Sequence, residues 1–118
     1  MRLDLGRTGD ERLHLAGDDL GQGDPVVLVH GWPGSARVWD DLRADLLAAG
    51  HRVISHDRRG FGRSGPPSSG YELDALAEDL ARILTQLALQ DVTLVGWDLG
   101  CTEIMRLLGT AGDDRIAR

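Results

Sequence analysis

The chain has 118 residues, of which 42% are apolar and 27% charged, a composition that fits a globular protein and excludes a disordered one. The formal net charge of −6 argues against nucleic acid as a partner, because phosphate binding needs an excess of basic groups on one face. The single cysteine, Cys101, cannot form an intrachain disulfide, which excludes the disulfide-stapled secreted class and predicts a cytoplasmic location. No apolar run is long enough for a signal peptide or a membrane span, so we expect no membrane association.

Short apolar runs alternate with stretches of helical periodicity along most of the chain. A continuous apolar run is typical of a strand buried on both faces of a parallel sheet, and apolar residues three and four apart are typical of a helix that packs on it. The predicted elements are a strand at 26–29, a helix from the N-cap Ser35 to Gly50, a strand at 51–56, a helix with its apolar stripe at 73–87, a strand at 92–95 and a helix to about Thr110. This order predicts the α/β class, with three α/β/α layers around a mostly parallel sheet.

Two of these helices carry specific expectations about burial. The apolar spacing predicts that the first helix buries Val38, Leu42, Leu46 and Ala49. In the second helix, the polar residues Asp74, Glu78, Asp79 and Arg82 are expected on the face exposed to water. Cys101 and Trp97 are interpreted as packing residues rather than as a rival nucleophile and a ligand contact.

Three glycines after the second predicted strand match the spacing of a dinucleotide-binding loop. Gly60, Gly62 and Gly65 have the G-x-G-x-x-G pattern, but that motif must open a helix whose N-terminus faces the pyrophosphate. Here Pro66-Pro67 follows the glycines instead. The glycines are therefore interpreted as a sharply turning loop, and no cofactor is predicted.

The segment Gly96-Trp97-Asp98-Leu99-Gly100 lies between a predicted strand and a predicted helix. The spacing small-x-Asp-x-small is that of a nucleophile elbow, a strained turn in which Gly96 and Gly100 leave room for the central side chain to project outward. The alternative is an ordinary aspartate at a helix start, where free backbone N–H groups stabilise it. As a nucleophile, Asp98 needs no base to activate it, since a carboxylate is ionised at neutral pH, and its attack forms an alkyl ester.

A second motif, His30-Gly31-Trp32-Pro33-Gly34, leaves the carboxyl end of the first buried strand. Loops after neighbouring parallel strands meet at one edge of the sheet, so this loop and the Asp98 corner are expected to form one site. His30 is interpreted as a structural histidine of the loop. The four histidines have no metal-ligand spacing, and we expect no metal.

With these motifs in this order, the chain resembles the N-terminal half of an α/β-hydrolase, in particular the cofactor-free bacterial haloperoxidase and esterase branch. The resemblance implies that the backbone N–H groups of Trp32 and Leu99 form an oxyanion hole and that residues 57–64 brace the loops. It implies that His30, Gly31, Pro33, Gly34, Gly96 and Gly100 shape the site. The matching segments are Val27-Leu28-Val29-His30-Gly31-Trp32-Pro33, His56-Asp57-Arg58-Arg59-Gly60-Phe61-Gly62-Arg63-Ser64, Asp79-Leu80 and Asp91-Val92-Thr93-Leu94-Val95-Gly96.

The chain departs from this branch in two ways. The nucleophile of the branch is Ser, whereas Asp98 is the residue type found in the dehalogenase and epoxide hydrolase branches of the fold, although dehalogenases typically have Trp where this chain has Leu99. The family places its acid and base His after the nucleophile, and all four histidines here precede Asp98. We therefore expect residues 1–118 to be the N-terminal part of one hydrolase domain, with no second domain and with the sheet incomplete on its C-terminal side.

Two functions follow from these patterns. The first is a hydrolase of ester, epoxide or carbon–halide bonds in a small-molecule substrate, with little turnover in the 118 residues by themselves. The second is a non-catalytic truncated remnant that self-associates through the open edge of the strand at 92–95.

Overall fold

The computed structural model describes residues 1–8, 11–64, 71–111 and 114–118. The elements in chain order are β1 (Arg2–Thr8), β2 (Glu11–Leu20), β3 (Pro25–Val29), a 3-10 helix (Ala36–Trp39), α1 (Asp40–Ala48), β4 (Arg52–His56), α2 (Leu73–Gln86), β5 (Thr93–Gly96) and α3 (Leu99–Ala111). The strand order in the sheet is β1-β2-β4-β3-β5. The strands β4, β3 and β5 are parallel, whereas β1 and β2 are antiparallel to their neighbours, so the sheet is mixed.

Helices cover both faces of the sheet, which confirms the predicted three-layer α/β architecture. Alternate residues of a strand point to opposite faces. Val27 and Ile54 accordingly pack in a cluster with Leu80 of α2 and Leu107 of α3. Val26, Leu28 and Val53 pack on the other face against Trp39, Leu46 and Leu47. Of the parallel strands, β3 and β4 are buried between the two layers and β5 is half-buried, and the carboxyl ends of all three lie at one edge.

The first helical segment differs from the prediction. It begins with a 3-10 turn, capped as predicted by the Ser35 side chain, and becomes α-helical only at Asp40. A 3-10 turn has three residues per turn, so it shifts the phase of the apolar stripe that a continuous α-helix would bury. Val38 is consequently 59% exposed, and Leu42 and Ala49 are exposed as well, while Leu46 is half-buried.

The segment 13–20, which alternates only loosely in the sequence, forms part of β2 and pairs with β1 and β4. Leu13 and Leu15 are buried, as expected for the inward face of a strand. The hairpin of β1 and β2 was not predicted, and β1 itself has no apolar run. Pairing with β2 is what defines it.

The prediction for Asp79 was wrong. Asp79 faces inward from α2 and is buried, where its two carboxylate oxygens accept hydrogen bonds from Arg59 at 2.6 and 2.7 Å. A carboxylate can be buried in this way only when it is paired. From the sequence, a charged residue in a helix is assigned to the exposed face. The ion-pair partner of Asp79 lies 20 positions away, where the periodicity of the helix gives no sign of it.

The edge beyond β5 also differs from the expected open edge. The N–H of Val92 donates to the carbonyl of Arg115 at 2.8 Å, and the N–H of Leu94 donates to the carbonyl of Arg118 at 2.8 Å. Val92 and Ile116 form a parallel bridge. Residues 115–118 therefore satisfy backbone groups of the strand that was expected to be unpaired.

Candidate active site

The corner between β5 and α3 carries the candidate nucleophile Asp98. Asp98 has φ +54°, in the left-handed region that non-glycine residues rarely adopt, and its side chain is exposed. A Cβ at Gly96 would lie 2.8 Å from the backbone nitrogen of Cys101, and a Cβ at Gly100 would lie 2.1 Å from the carbonyl oxygen of Val29. Both positions require glycine because the chain passes too close to other backbone atoms. A strained residue held between two such glycines is typical of functional sites.

The loop after β3 approaches the same corner. The backbone N–H of Trp32 donates to Oδ2 of Asp98 at 3.4 Å, a long hydrogen bond. A Cβ at Gly31 would lie 2.6 Å from the ring of Trp97 and 3.0 Å from Cβ of Asp98, so only glycine allows this approach. The N–H of Trp97 donates to the carbonyl of Val29 at 3.1 Å, which ties the two strand ends together.

The other predicted site residues lie in the same two loops. Leu99 follows Asp98 as the first residue of α3, and Pro33 follows Trp32 through a cis peptide bond. Gly34 lies less tightly than its neighbours, since a Cβ there would be 3.4 Å from the carbonyl oxygen of Gly31. The two loops thus meet at the carboxyl edge of the sheet, where neighbouring parallel strands end.

His30 lies beneath the site and is 1% exposed. Its Nδ1 is 2.7 Å from the carbonyl oxygen of Gly31, which can only accept, so Nδ1 carries the proton. Its Nε2 accepts from the backbone N–H of Arg58 at 2.8 Å. The bond that Nε2 accepts needs the neutral ring, and burial, with a contribution from the Arg58 charge, lowers the pKa of His30. His30 therefore links the loop after β3 to the backbone of Arg58.

Two buried charged residues under the loop were missed at the level of sequence. The guanidinium of Arg58 forms an ion pair with the carboxylate of Glu103, and both side chains are 2% exposed. Burial raises the pKa of Glu103 to about 7, against the lowering effect of Arg58. One signal was present, since Glu103 lies four residues before the buried Leu107 and so on the inward face of α3. A charged residue on an inward face implies a buried partner.

The loop after β4 is braced by Asp57 and Ser64. Asp57 accepts hydrogen bonds from the backbone N–H groups of Ala36 at 2.8 Å and Arg63 at 2.9 Å. Burial by itself would raise the pKa of Asp57, but these donors and the Arg63 guanidinium outweigh it and hold the pKa below its ordinary value. The Ser64 hydroxyl donates to the carbonyl of Asp57 at 2.5 Å and accepts from the N–H of Ala16 at 2.9 Å.

Exposed aromatic side chains surround the corner. Trp32 is 50% exposed and contacts Phe61 edge to face, with ring centroids 4.7 Å apart. Trp97 is 63% exposed, so its interpretation as a packing residue was wrong. Cys101 was also expected to be buried, but it is exposed on α3. The residue of α3 that lies against the sheet here is Gly100, next to the backbone of Val29.

The part of the chain that the structure describes contains no group of three His, Cys, Asp or Glu side chains that could hold a metal ion. Among the same residues, the helices are too short or too polar to cross a membrane.

Comparison with known proteins assigns the chain to a family. Residues 24–118 match the family described as the alpha/beta hydrolase fold. The chain is 47% identical over 98 residues to the non-heme chloroperoxidase CPO-A1 of Kitasatospora aureofaciens, covering 83% of this chain and 36% of that protein. It is 34% identical to a haloalkane dehalogenase of Psychrobacter cryohalolentis, covering 100% of this chain and 39% of that protein.

The crystal structure of a bromoperoxidase from Bacillus anthracis superimposes with a TM-score of 0.92 and 45% identity, over 98% of this chain and 41% of that one. The chain therefore spans about two fifths of the length of these relatives, between 36% and 41%. The family match over residues 24–118 and the similarity in both sequence and structure lead to one conclusion: this chain belongs to the α/β-hydrolase fold family.

Proposed function

We propose that the chain carries the nucleophile and the two oxyanion-hole donors of a hydrolase, with Asp98 as the nucleophile. The observation that carries this proposal is the placement of the Asp98 carboxylate, exposed at a left-handed corner with the Trp32 N–H 3.4 Å from its Oδ2. One oxygen is held by a backbone donor, and the other is left to attack. In this reading the N–H of Leu99, next along the chain, supplies the second donor of the oxyanion hole.

A carboxylate nucleophile favours substrates with an electrophilic sp³ carbon. Asp98 Oδ1 attacks that carbon, a C–O bond to the enzyme forms, and the carbon–halogen or epoxide C–O bond breaks with its electron pair leaving on the halide or alkoxide. The product is an alkyl ester of Asp98. Attack on a carboxylic ester would instead give a mixed anhydride, so esters fit this residue less well. The dehalogenase among the relatives supports the carbon–halide class.

Hydrolysis of the alkyl ester requires a general base, and the four histidines of this chain are poorly placed to act as one. His30 and His56 are buried. His51 directly precedes β4, at the opposite edge of the parallel strands from Asp98, and His14 lies within β2. We infer that the 118 residues by themselves form the ester and do not turn it over.

The proposal is tested by incubating the protein with a small epoxide and with a primary alkyl bromide, followed by intact mass measurement and peptide mapping. One adduct on Asp98 is expected, absent in Asp98→Asn. Asp91 is the matched control, since it is also an exposed aspartate in the left-handed region, with φ +53°. Alkylation of Asp98 is expected to exceed that of Asp91 about tenfold, equivalent to ~1.4 kcal/mol. Equal labelling of the two residues would overturn the nucleophile assignment.

Turnover is tested separately in water enriched in ¹⁸O. Each cycle of ester hydrolysis exchanges a carboxylate oxygen of Asp98, so label in the Asp98 peptide after repeated exposure to substrate reports turnover. We expect an adduct without ¹⁸O. Label in the peptide would show that a base within the 118 residues completes the cycle.

The alternative of a non-catalytic, self-associating module has less support. Met105 and Leu108 on α3 are exposed and favour association. The backbone N–H groups of Val92, just before β5, and of Leu94 within it are, however, already hydrogen-bonded to residues 115–118. Sedimentation velocity at high concentration separates the two ideas, since a monomer counts against association.

A further inference from the structure

The guanidinium of Arg58 lies directly beneath the loop that carries Trp32. Its Nη2 donates to the carbonyl of His30 at 2.5 Å, and its Nη1 donates to the carbonyl of Gly31 at 3.0 Å. On its other side, its Nε donates to Oε1 of Glu103. All three nitrogen atoms of one rigid, planar guanidinium therefore donate hydrogen bonds, and together they link α3 to the loop.

The orientation of the Trp32 N–H depends on this contact. The carbonyl of Gly31 and the N–H of Trp32 belong to the same peptide unit, which is planar, and in a trans unit the two groups point in opposite directions. The Gly31 carbonyl is held inward by two buried donors, Arg58 Nη1 and His30 Nδ1. The N–H of Trp32 must then point outward, and it does so toward Asp98 Oδ2 at 3.4 Å.

We propose that Arg58, held from α3 by Glu103, is a positioning residue that fixes the Gly31–Trp32 peptide and thereby aims the Trp32 N–H at Asp98. This inference rests on the proposed function in one respect, namely that the Trp32 N–H is an oxyanion donor. The device aligns the donor before any substrate binds, which is the condition under which such a group stabilises developing charge most effectively.

The chemistry of the pair explains why these residue types are needed. A lysine has a single ammonium group and cannot bridge two carbonyls and a carboxylate in fixed directions, whereas the arginine fork can. The Glu103 carboxylate offsets the charge of Arg58, since both side chains are 2% exposed and an unpaired buried charge is costly. The neighbouring pair of Arg59 and Asp79 is nearly as buried, with both side chains 5% exposed, but it links the loop after β4 to α2. That pair provides a matched control.

The test uses the 118-residue chain labelled with ¹⁵N, and the readout is the backbone amide resonance of Trp32. In the wild-type background, Asp98→Asn removes the acceptor charge and is expected to shift the Trp32 amide more than any other amide outside residues 96–100. In an Arg58→Lys background, the same substitution is expected to leave the Trp32 amide nearly unmoved. In an Arg59→Lys background, the full shift is expected to persist.

Equal responses of the Trp32 amide in the Arg58→Lys and Arg59→Lys backgrounds would overturn the proposal. If Arg58→Lys does not fold, Glu103→Gln replaces it, because this substitution keeps the side-chain volume and an acceptor oxygen while removing the charge. A full response in Glu103→Gln would then overturn the role of the pair. A failure of the proposed function is distinguishable, since it shows as the absence of an Asp98 adduct while the dependence of the Trp32 amide on Arg58 remains.

Discussion

His56 is expected to lower the stability of the folded protein in mild acid. It is the last residue of β4 and is buried, and its Nδ1 has no hydrogen-bond partner among the described residues. Burial lowers the pKa of His56 to about 3, and the nearby His30 and Arg58 add to this lowering. The ring centroids of His30 and His56 are 6.4 Å apart. His56 is therefore neutral in the folded chain, whereas in the unfolded chain it is protonated below its ordinary pKa of 6.5.

The sign and size of the effect follow from this difference in pKa. Between pH 6.5 and 3 the unfolded state binds a proton that the folded state does not, so the free energy of unfolding falls as the pH falls. The contribution of one such group is about 1.4 kcal/mol per pH unit. Between pH 7.5 and 4.5 it amounts to about 3 kcal/mol, and over the complete titration of both states to about 5 kcal/mol. From about pH 7.5 upward the stabilisation is complete and no longer changes.

The measurement is urea denaturation at several pH values between 7.5 and 4.5, for the wild type and for His56→Leu. With an m-value of roughly 1.5 kcal/mol/M, the titration of His56 moves the wild-type midpoint by about 2 M over this range. The variant lacks this part of the slope. The other titrating groups are present in both proteins, so the difference between the two curves isolates His56. His51→Leu, at a half-buried position just before β4, is the matched histidine control.

Parallel curves for the wild type and His56→Leu would refute the reasoning. They would mean that the ring is protonated in the folded state at the same pH as in the unfolded state. If His56→Leu is too unstable to measure, His56→Gln is used in its place, and the same comparison of slopes applies.

Three further substitutions test the geometry. Gly100→Ala is expected to lower the free energy of unfolding by at least about 2 kcal/mol, because the new Cβ would lie 2.1 Å from a backbone oxygen of β3. Gly109→Ala is expected to raise the free energy of unfolding by about 0.5–1 kcal/mol, because its Cβ meets no described atom within 4 Å. Asp79→Asn leaves Arg59 buried without its counter-charge and is expected to cost about 3–5 kcal/mol. Ala88→Gly is expected to gain about 1 kcal/mol, since Ala88 has φ +52°. Urea denaturation at pH 7 measures all of these free energies.

Each of these predictions has a contradicting result. Equal effects at Gly100 and Gly109 would show that the corner has room for a Cβ. A cost below about 1 kcal/mol for Asp79→Asn would place that pair in the range of exposed ion pairs. A loss of stability in Ala88→Gly would show that the left-handed conformation is not strained at that position.

The regular elements could be predicted because their signals are local. The apolar stripe of α2 and the continuous apolar runs of β3 and β4 are readable from neighbouring residues, and the structure has these elements within two residues of the predicted bounds. The corner at Asp98 was predictable for the same reason. Its flanking glycines, Gly96 and Gly100, can be read from five consecutive residues, although the contact that requires glycine at position 100 is made with Val29 of β3.

Other features depend on contacts between distant segments, which no local pattern reveals. β1 exists through its pairing with β2, and the edge of β5 is covered by residues 115–118. The 3-10 turn before α1 changes which side chains face the sheet, and its last residue, Trp39, packs against β3 and β4.

The buried charges show this division most clearly. The sequence by itself indicated a sharp corner at Asp98, since the small-x-Asp-x-small spacing can be read from five consecutive residues. Only the tertiary structure decided that Arg58 and Glu103, 45 residues apart, meet beneath the loop of Trp32. The physical reason is that a charged side chain is normally stable only in water, and the exceptions depend on a partner whose position is set by the complete fold.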